Sequence, residues 1–313
     1  MENNAPKFLI DLLKKEYDEE LTLKILKGYS IKRYTSFRVN TLKSCDKDVL
    51  DILDSMQVKY IKYDAIEHAY ILPDRCAKEF YDTKLVSDGL IYFQSLSSML
   101  PPLFLDIKET DTILDMAAAP GGKTTMMACL SSGKAQITAC EVNKIRSERL
   151  KHNIEVQNAK NVFVMNQDAK KLDDFFSFDK ILLDAPCSGS GTLDLNNPKA
   201  LKAFSYDLVK NSAHLQYELL KKAIKILKPK SSMVYSTCSI LPMENEEIIS
   251  RALKEFNIEI VPITFSGLPL LPTKIKGTLL VLPNEYFEGF FIAKIRKKQE
   301  GISPLIVPNH PRR

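Results

Sequence analysis

From about residue 112 onward, short runs of β-branched and apolar residues alternate with amphipathic stretches at helical spacing. That alternation is the signature of βαβ units and a mainly parallel sheet. It predicts strands at 112–116, 136–141, 161–166, 179–184, 231–237, 258–263 and 289–296. Helices are predicted between them at 122–130, 144–157, 208–227 and 243–256; Pro229 stops the third and Pro242 precedes the fourth. Seven strands with these helices make one doubly wound α/β domain. The first 80 or so residues follow another rhythm, with short helices at 6–15 and 19–27, a strand at 36–40, a helix at 46–56 and a strand at 58–63. This predicts a small α+β module over 1–84, joined through 85–105 to the sheet domain, which spans 85–298 and leaves a tail at 299–313. The stretch 265–286, punctuated by prolines and glycines, reads as a long loop near the carboxyl end of the sheet, where such loops are usually functional.

Composition narrows the class. With 313 residues, 45% apolar and 27% charged, the chain has an ordinary globular make-up and enough length for a full core. No apolar stretch approaches the roughly 18 residues of a membrane span, and Met1-Glu2-Asn3-Asn4 begins no signal peptide, so a cytoplasmic protein with no membrane partner is expected. The six cysteines are scattered without a CxxC pair, which indicates neither a disulfide framework nor a metal site. The net charge of +5 is compatible with a polyanionic partner. Lys221, Lys222, Lys225, Lys228 and Lys230 cluster around one helix end, and Arg296, Lys297 and Lys298 close the last strand. These clusters read either as solvated surface or as part of such an interface.

Two cysteines occupy matching places. Cys187, in Asp184-Ala185-Pro186-Cys187-Ser188-Gly189, follows the run Lys180-Ile181-Leu182-Leu183; Cys238, in Ser236-Thr237-Cys238-Ser239, follows Met233-Val234-Tyr235. If the two strands are parallel neighbours, both thiols lie at carboxyl ends, where such sheets bind ligands. Cys129 and Cys140 read as small buried hydrophobes, and neither Cys45, Cys76 nor any of the four histidines shows functional spacing.

The loop Asp115-Met116-Ala117-Ala118-Ala119-Pro120-Gly121-Gly122-Lys123-Thr124 joins the first strand to its helix, and its small residues admit close approach of a ligand. It nearly fits the phosphate-binding pattern GxxxxGK[ST], with Ile181-Leu182-Leu183-Asp184 imitating the strand that holds magnesium. A nucleotide hydrolase is therefore one reading. Against it, Ala117 stands where the first glycine is required, and Pro120 lacks an N–H to offer phosphate. A nucleoside ligand instead calls for an acid at the end of the second strand. Glu141 lies there, 19 residues after Gly122, and Asp168 follows the third strand, where it is placed to accept from an adenine amino group. A nucleoside cofactor without a phosphate cradle points to S-adenosylmethionine.

Together, the segments 115–124, 184–189 and 236–239 closely resemble the RsmB, RsmF and Nop/Sun family of RNA cytosine-C5 methyltransferases. The resemblance extends to Ser36-Phe37-Arg38-Val39-Asn40, to Tyr92-Phe93-Gln94-Ser95-Leu96-Ser97-Ser98, to Pro242-Met243-Glu244-Asn245-Glu246 and to Glu288-Gly289-Phe290-Phe291-Ile292-Ala293, and so covers about residues 30–298. It implies a class I, Rossmann-like methyltransferase with a seven-stranded sheet, its last strand antiparallel, fronted by an RNA-contacting amino-terminal module. RsmF-like members often carry a further carboxy-terminal RNA-binding domain; the expectation here is an RsmF-like chain without it. By the same resemblance, Cys238 attacks the base, Cys187 assists release, and cofactor contacts fall on Ala117, Ala118, Ala119, Pro120, Gly121, Gly122, Lys123, Glu141, Arg146, Asp168 and Asp184.

The chemistry needs such groups. C5 of cytosine is a poor nucleophile, so a thiolate must first add to C6, and a site that lowers the thiol pKa is expected. Lys123 is the candidate source of positive potential, and Asp184, with its pKa raised by burial, is the candidate to support the charge developing at N3. The base must leave its stack, which favours single-stranded or bulged RNA. Phe37, Phe93, Tyr235, Tyr286 and Phe287 are candidates for stacking or for the core. Ribosomal RNA is the favoured partner and transfer RNA the alternative; no obligate protein partner is indicated. A catalytically silent RNA-binding or ribosome-assembly factor on the same fold is the remaining reading, and the intact Cys187 and Cys238 argue against it.

Overall fold

The computed structural model describes residues 5–299; Met1-Glu2-Asn3-Asn4 and the expected tail from 300 onward, with His310, lie outside the described residues. The chain begins with α1 (Lys7–Glu16), α2 (Glu19–Ser30), β1 (Thr35–Val39), α3 (Asp46–Ser55), β2 (Ile61–Lys62), β3 (Ala69–Leu72), α4 (Lys84–Ser87), β4 (Ile91–Phe93) and α5 (Leu96–Leu103). It continues with β5 (Thr112–Asp115), α6 (Gly122–Leu130), β6 (Gln136–Cys140), α7 (Lys144–Val156), β7 (Val162–Met165) and β8 (Phe178–Asp184). The last elements are α8 (Pro198–Ala203), α9 (Tyr206–Ile226), β9 (Leu227–Thr237), α10 (Glu246–Glu255), β10 (Ile258–Ile260), β11 (Leu279–Val281) and β12 (Phe290–Lys297). Local chemistry sets several starts: the side chains of Asp18, Ser95, Asn143 and Ser205 accept from the first-turn amides of α2, α5, α7 and α9.

The main sheet runs β10-β12-β9-β8-β5-β6-β7, with β11 added beside β12. Strands β5 to β9 pair in parallel, while β12 is antiparallel to β9, β10 and β11. Alternate side chains divide the core into two layers. Leu114, Ile181, Leu183, Met233 and Tyr235 point to the side of α9 and α10, whereas Ile113, Leu182 and Val234 pack with Leu96, Met99, Met126 and Met127 of α5 and α6.

Two details of the sheet depart from expectation. It has an eighth strand, because Leu279-Leu280-Val281 inside the expected loop 265–286 is fully buried against β12; the surrounding prolines and glycines hid a run this short. Strand β9 also begins at Leu227 rather than 231. Phe178 pairs with Leu227 and Lys180 with Ser232, so extra residues bulge on β9, and Pro229 sits in that bulge beside Lys230 at φ 65.

The amino-terminal region is knitted into the main sheet. Leu9, Leu13, Ile25 and Leu26 of α1 and α2 share one hydrophobic cluster with α9 and the main sheet, and Tyr17 donates to the Ile240 carbonyl at 3.2 Å. A separate antiparallel sheet, β2-β3-β1-β4, recruits β4 from the expected connector 85–105. The buried Arg38 of β1 donates to Gln94 at 2.9 Å, to the Gly122 carbonyl at 3.1 Å and to Thr125 at 2.7 Å. Asn40 donates to the carbonyls of Gly89 and Gln157. The segment 36–40 therefore fastens the small sheet to the first turn of α6. No described helix is long and apolar enough to cross a membrane.

Candidate active site

Strands β5, β8 and β9 are neighbours, so Asp115, Asp184 and Thr237 end side by side at the carboxyl edge of the sheet. The loops leaving β8 and β9 bring Cys187 and Cys238 together with their Sγ atoms 2.8 Å apart, both half-buried and both free thiols. The juxtaposition expected from the two matching motifs is thus present.

The thiols share a scaffold built on Glu244, which is fully buried. Its Oε1 accepts from the Ser188 amide at 2.7 Å and from Gln216 at 3.2 Å; its Oε2 accepts from the hydroxyls of Ser188 and Ser239, each at 2.6 Å. Gln216 of α9 also donates to the Pro186 carbonyl at 2.9 Å, and Tyr235 donates to the Glu244 carbonyl at 2.6 Å. One carboxylate thereby clamps the residue after each cysteine. Glu244 lies in the segment 242–246 named above, where nothing in the spacing assigns it a role; only the fold brings it beside both loops.

The surroundings of the two thiols differ. The hydrogen bond to Cys238, burial, and the charges of Cys238 and Glu244 hold the Cys187 thiol well above the usual range. Cys187 is kept protonated. Lys123 stands on the other side, where its ammonium pairs with Asp184 at 2.7 Å and donates to Ser98 at 2.5 Å. Burial alone would lower its pKa, but Asp184, Asp115 and Cys238 together raise it, so Lys123 is a fixed cation within electrostatic reach of Cys238. Asp184 also accepts from Ser236 at 2.7 Å.

A cavity of about 300 Å³ opens beside this pair, lined by Ala117, Ala118, Ala119, Pro120, Gly122 and Lys123, with Asp115 and Asp184 at its base. Its far wall comes from Tyr92, Gln94, Ser98 and Glu288. Ser98 and Glu288 also lie within family-like segments but are not singled out by sequence. Gly121, at φ 110, makes the turn into α6, and a Cβ on Gly122 would stand 3.0 Å from the Tyr92 ring. Asp115 accepts from Thr124 at 2.7 Å through Oδ2, while its Oδ1 is buried with no hydrogen-bond partner among the described residues. Burial pushes its carboxyl up to about 7, against the pull of Thr124 and Lys123.

The other expected cofactor residues sit at the next strand ends but do not line this cavity. Glu141, buried after β6, accepts from the Asn143 amide at 2.8 Å and pairs with Arg146 at 3.3 Å. Arg146 in turn donates to the Ala119 carbonyl at 2.7 Å, so it props the loop from outside. Asp168 follows β7, caps the Lys170 amide at 3.0 Å and lies 3.6 Å from the Lys170 ammonium. Of the five aromatics considered for stacking, Phe37, Tyr235 and Phe287 are buried in the core, Phe93 is half-buried, and Tyr286 is exposed. The nucleotide-hydrolase reading fails on geometry, since Lys123 is engaged by Asp184 and Ser98, and the Thr124 hydroxyl is buried on Asp115 rather than open to a metal–phosphate group.

Comparison with known proteins agrees with this arrangement. The family described as 16S rRNA methyltransferase RsmB/F matches residues 102–296. Proteins named ribosomal RNA small subunit methyltransferase F are 34% identical over 284 residues in Vibrio atlanticus and 36% identical over 295 residues in Serratia proteamaculans, covering 87% and 88% of this chain. The chain spans 59% of the length of each. Among solved structures, a methyltransferase homolog protein from Pyrococcus horikoshii superposes with a TM-score of 0.79 at 33% identity, over 93% of this chain and 99% of that one. NSun6 from the same organism, solved with SFG, gives a TM-score of 0.85 at 25% identity, over 94% and 99%. With its paired strand-end thiols and alanine-rich loop, this chain belongs to the RsmB/F family of 16S rRNA methyltransferases.

Proposed function

We propose that the chain transfers a methyl group from S-adenosylmethionine to C5 of a cytosine in small-subunit ribosomal RNA, acting in the cytoplasm. The observation that carries this reading is the 2.8 Å pair of Cys187 and Cys238 beside the cavity of residues 117–123. The relatives' names support the RNA substrate, and the SFG in the NSun6 structure, an S-adenosylmethionine analogue, supports the cofactor.

The cavity suits that cofactor. Its alanines leave room, and the unpartnered Oδ1 of Asp115 is an acceptor waiting for a donor or cationic group. Ala117, Ala118, Ala119, Pro120, Gly122, Lys123 and Asp184 would hold the cofactor, with Gly121 making the turn behind them, while Arg146, paired with Glu141, props the loop and Asp168 stands at the next strand end. When bound, it supplies an electrophilic methyl group.

The residues divide the work. Cys238, facing the Lys123 cation, adds as thiolate to C6, and the electron pair released by that addition is carried to C5. The Lys123–Asp184 pair supports the charge developing on the ring at N3. After C5 has taken the methyl group, its proton must leave so that the Cys238–C6 bond can break and the aromatic ring return. Cys187, held protonated at rest by its neighbours, stands where it can assist that proton transfer once the adjacent Cys238 has been consumed in the adduct.

The test is methylation of small-subunit ribosomal RNA with labelled S-adenosylmethionine, followed by bisulfite sequencing. A single protected cytosine confirms the reading. Label on transfer RNA alone moves the substrate to the alternative class, and no transfer to either RNA overturns the enzymatic reading.

A further inference from the structure

The lysine-rich segment 221–230 and the basic end of β12, far apart in sequence, meet in one groove of about 670 Å³ between the carboxyl-terminal turns of α9 and α10. Lys170, Lys221, Lys222, Lys225, Lys297 and Lys298 face it, against the two acids Asp174 and Glu218. A net charge of +4 is thus gathered in one groove of a chain whose total is +5. The catalytic cavity has the opposite balance, with Lys123 set against Asp115, Asp184 and Glu288. A polyanion finds little attraction at that cavity and much at the groove.

Lys170 and Lys298 lie 3.6 Å and 3.8 Å from Asp168 and Glu259, so the six lysines outnumber the four acids paired with them. Asp174 pairs with Lys222 at 2.6 Å and also with Lys225, and Glu218 pairs with Lys221 at 2.7 Å. Lys297 donates to the carbonyls of Lys225 and Leu227, which ties β12 to the end of α9. The side chains of Lys225 and Lys298 remain 62% and 47% exposed. Phe256, half-buried in the wall, adds an aromatic face that suits a nucleobase.

Groove and thiols lie at opposite ends of the same strands. Leu227 pairs with Phe178 at one end of β8 and Ser236 with Asp184 at the other. That length of strand measures about 20 Å at roughly 3.3 Å per residue. RNA rising about 3.4 Å per nucleotide covers it in about six steps.

We propose that this groove binds the phosphate backbone of RNA flanking the target cytosine, so that affinity arises at the basic end of the sheet while the acidic cavity carries the chemistry. The inference rests on the RNA-methylating function proposed above. The test uses the full chain and a Lys221→Ala/Lys225→Ala/Lys298→Ala variant. Binding is followed by fluorescence anisotropy from about 50 to 200 mM salt. Two RNAs share one target cytosine, one about six nucleotides long and one about thirty. On the long RNA the variant should bind about tenfold more weakly at physiological salt, and the slope of log affinity against log salt should shrink by about 2. Binding and methylation of the short RNA should not change, and arginine at the three positions should restore binding of the long one. Equal affinity and slope for variant and wild type on the long RNA, with methylation intact, overturn the groove alone. An equal loss on both lengths also overturns it. Wild-type protein that binds neither RNA overturns this inference and the functional reading together.

Discussion

The loops that carry Cys187 and Cys238 share a Cys-Ser pair at a strand end and are unequal in their surroundings. Each follows a buried parallel strand, and each cysteine precedes a serine whose hydroxyl donates to Glu244 at 2.6 Å. Yet the charge of Glu244 bears on Cys187, while the Lys123 ammonium stands within electrostatic reach of Cys238. A buried carboxylate keeps a nearby thiol protonated, and Cys187 has that neighbour. In the division of labour proposed for them, the two thiols are separated by what each loop faces.

The sharpest way to break this contrast is to remove one thiol at a time. Cys238→Ala should lower methyl transfer by about 10³-fold or more, with cofactor binding by calorimetry unchanged. Measurable turnover near the wild-type rate would show that the nucleophile lies elsewhere. Cys187→Ala should instead trap the protein on its RNA as an adduct that survives denaturing electrophoresis. Absence of a shifted band, with turnover preserved, would mean that the two thiols are not divided as described.

Removing the shared clamp tests the contrast from the other side. Glu244→Ala leaves the Ser188 amide and two hydroxyls without their buried acceptor, and should cost about 3–5 kcal/mol in a denaturant titration. Both loops should loosen, so adduct formation and adduct release should fall together. A variant that loses only one of these steps would show that Glu244 serves one thiol and not both.

A last effect, read from a slope with pH rather than from a loss of activity, concerns the neighbouring strand end, where burial raises the Asp115 carboxyl. Its carboxyl is raised to about 7 in the folded protein from an ordinary value of 3.8. Between these values the folded state holds a proton that the unfolded state has released, so this group's contribution makes stability fall as pH rises from about 4 to about 7. Above pH 7 the penalty is constant. Asp115→Asn should remove a slope of up to about 1.4 kcal/mol per pH unit across that window and be relatively most stable above pH 7. Parallel stability–pH curves for variant and wild type would place the Asp115 charge in a better-solvated site than its burial indicates.

Much of this is legible in the sequence. The alternation of strands and helices from residue 112, the loop 115–124 and the two cysteine motifs are local signals carried by neighbouring residues, and all are present, although β9 starts earlier and β10 ends sooner than the pattern predicts. Short elements were harder to read. Strand β11 has three residues, and tertiary burial rather than its own pattern makes it a strand. Helices α1 and α2 looked like part of a separate module, because amphipathic spacing shows that a face is apolar and not which core it joins. Arg38 sits in a segment that resembles the family, but its spacing does not record that it is buried against Gln94 and Thr125.

The sequence by itself determined the fold class and set the two cysteine motifs at strand ends, since periodicity and motif are properties of adjacent residues. Only the tertiary structure decided which thiol faces a cation and which an acid. Glu244 reaches both loops from 56 residues beyond Ser188 and five beyond Ser239, and Lys123 meets Asp184 across two neighbouring strands. Electrostatic environment is set by distance through space. Spacing along the chain does not record it.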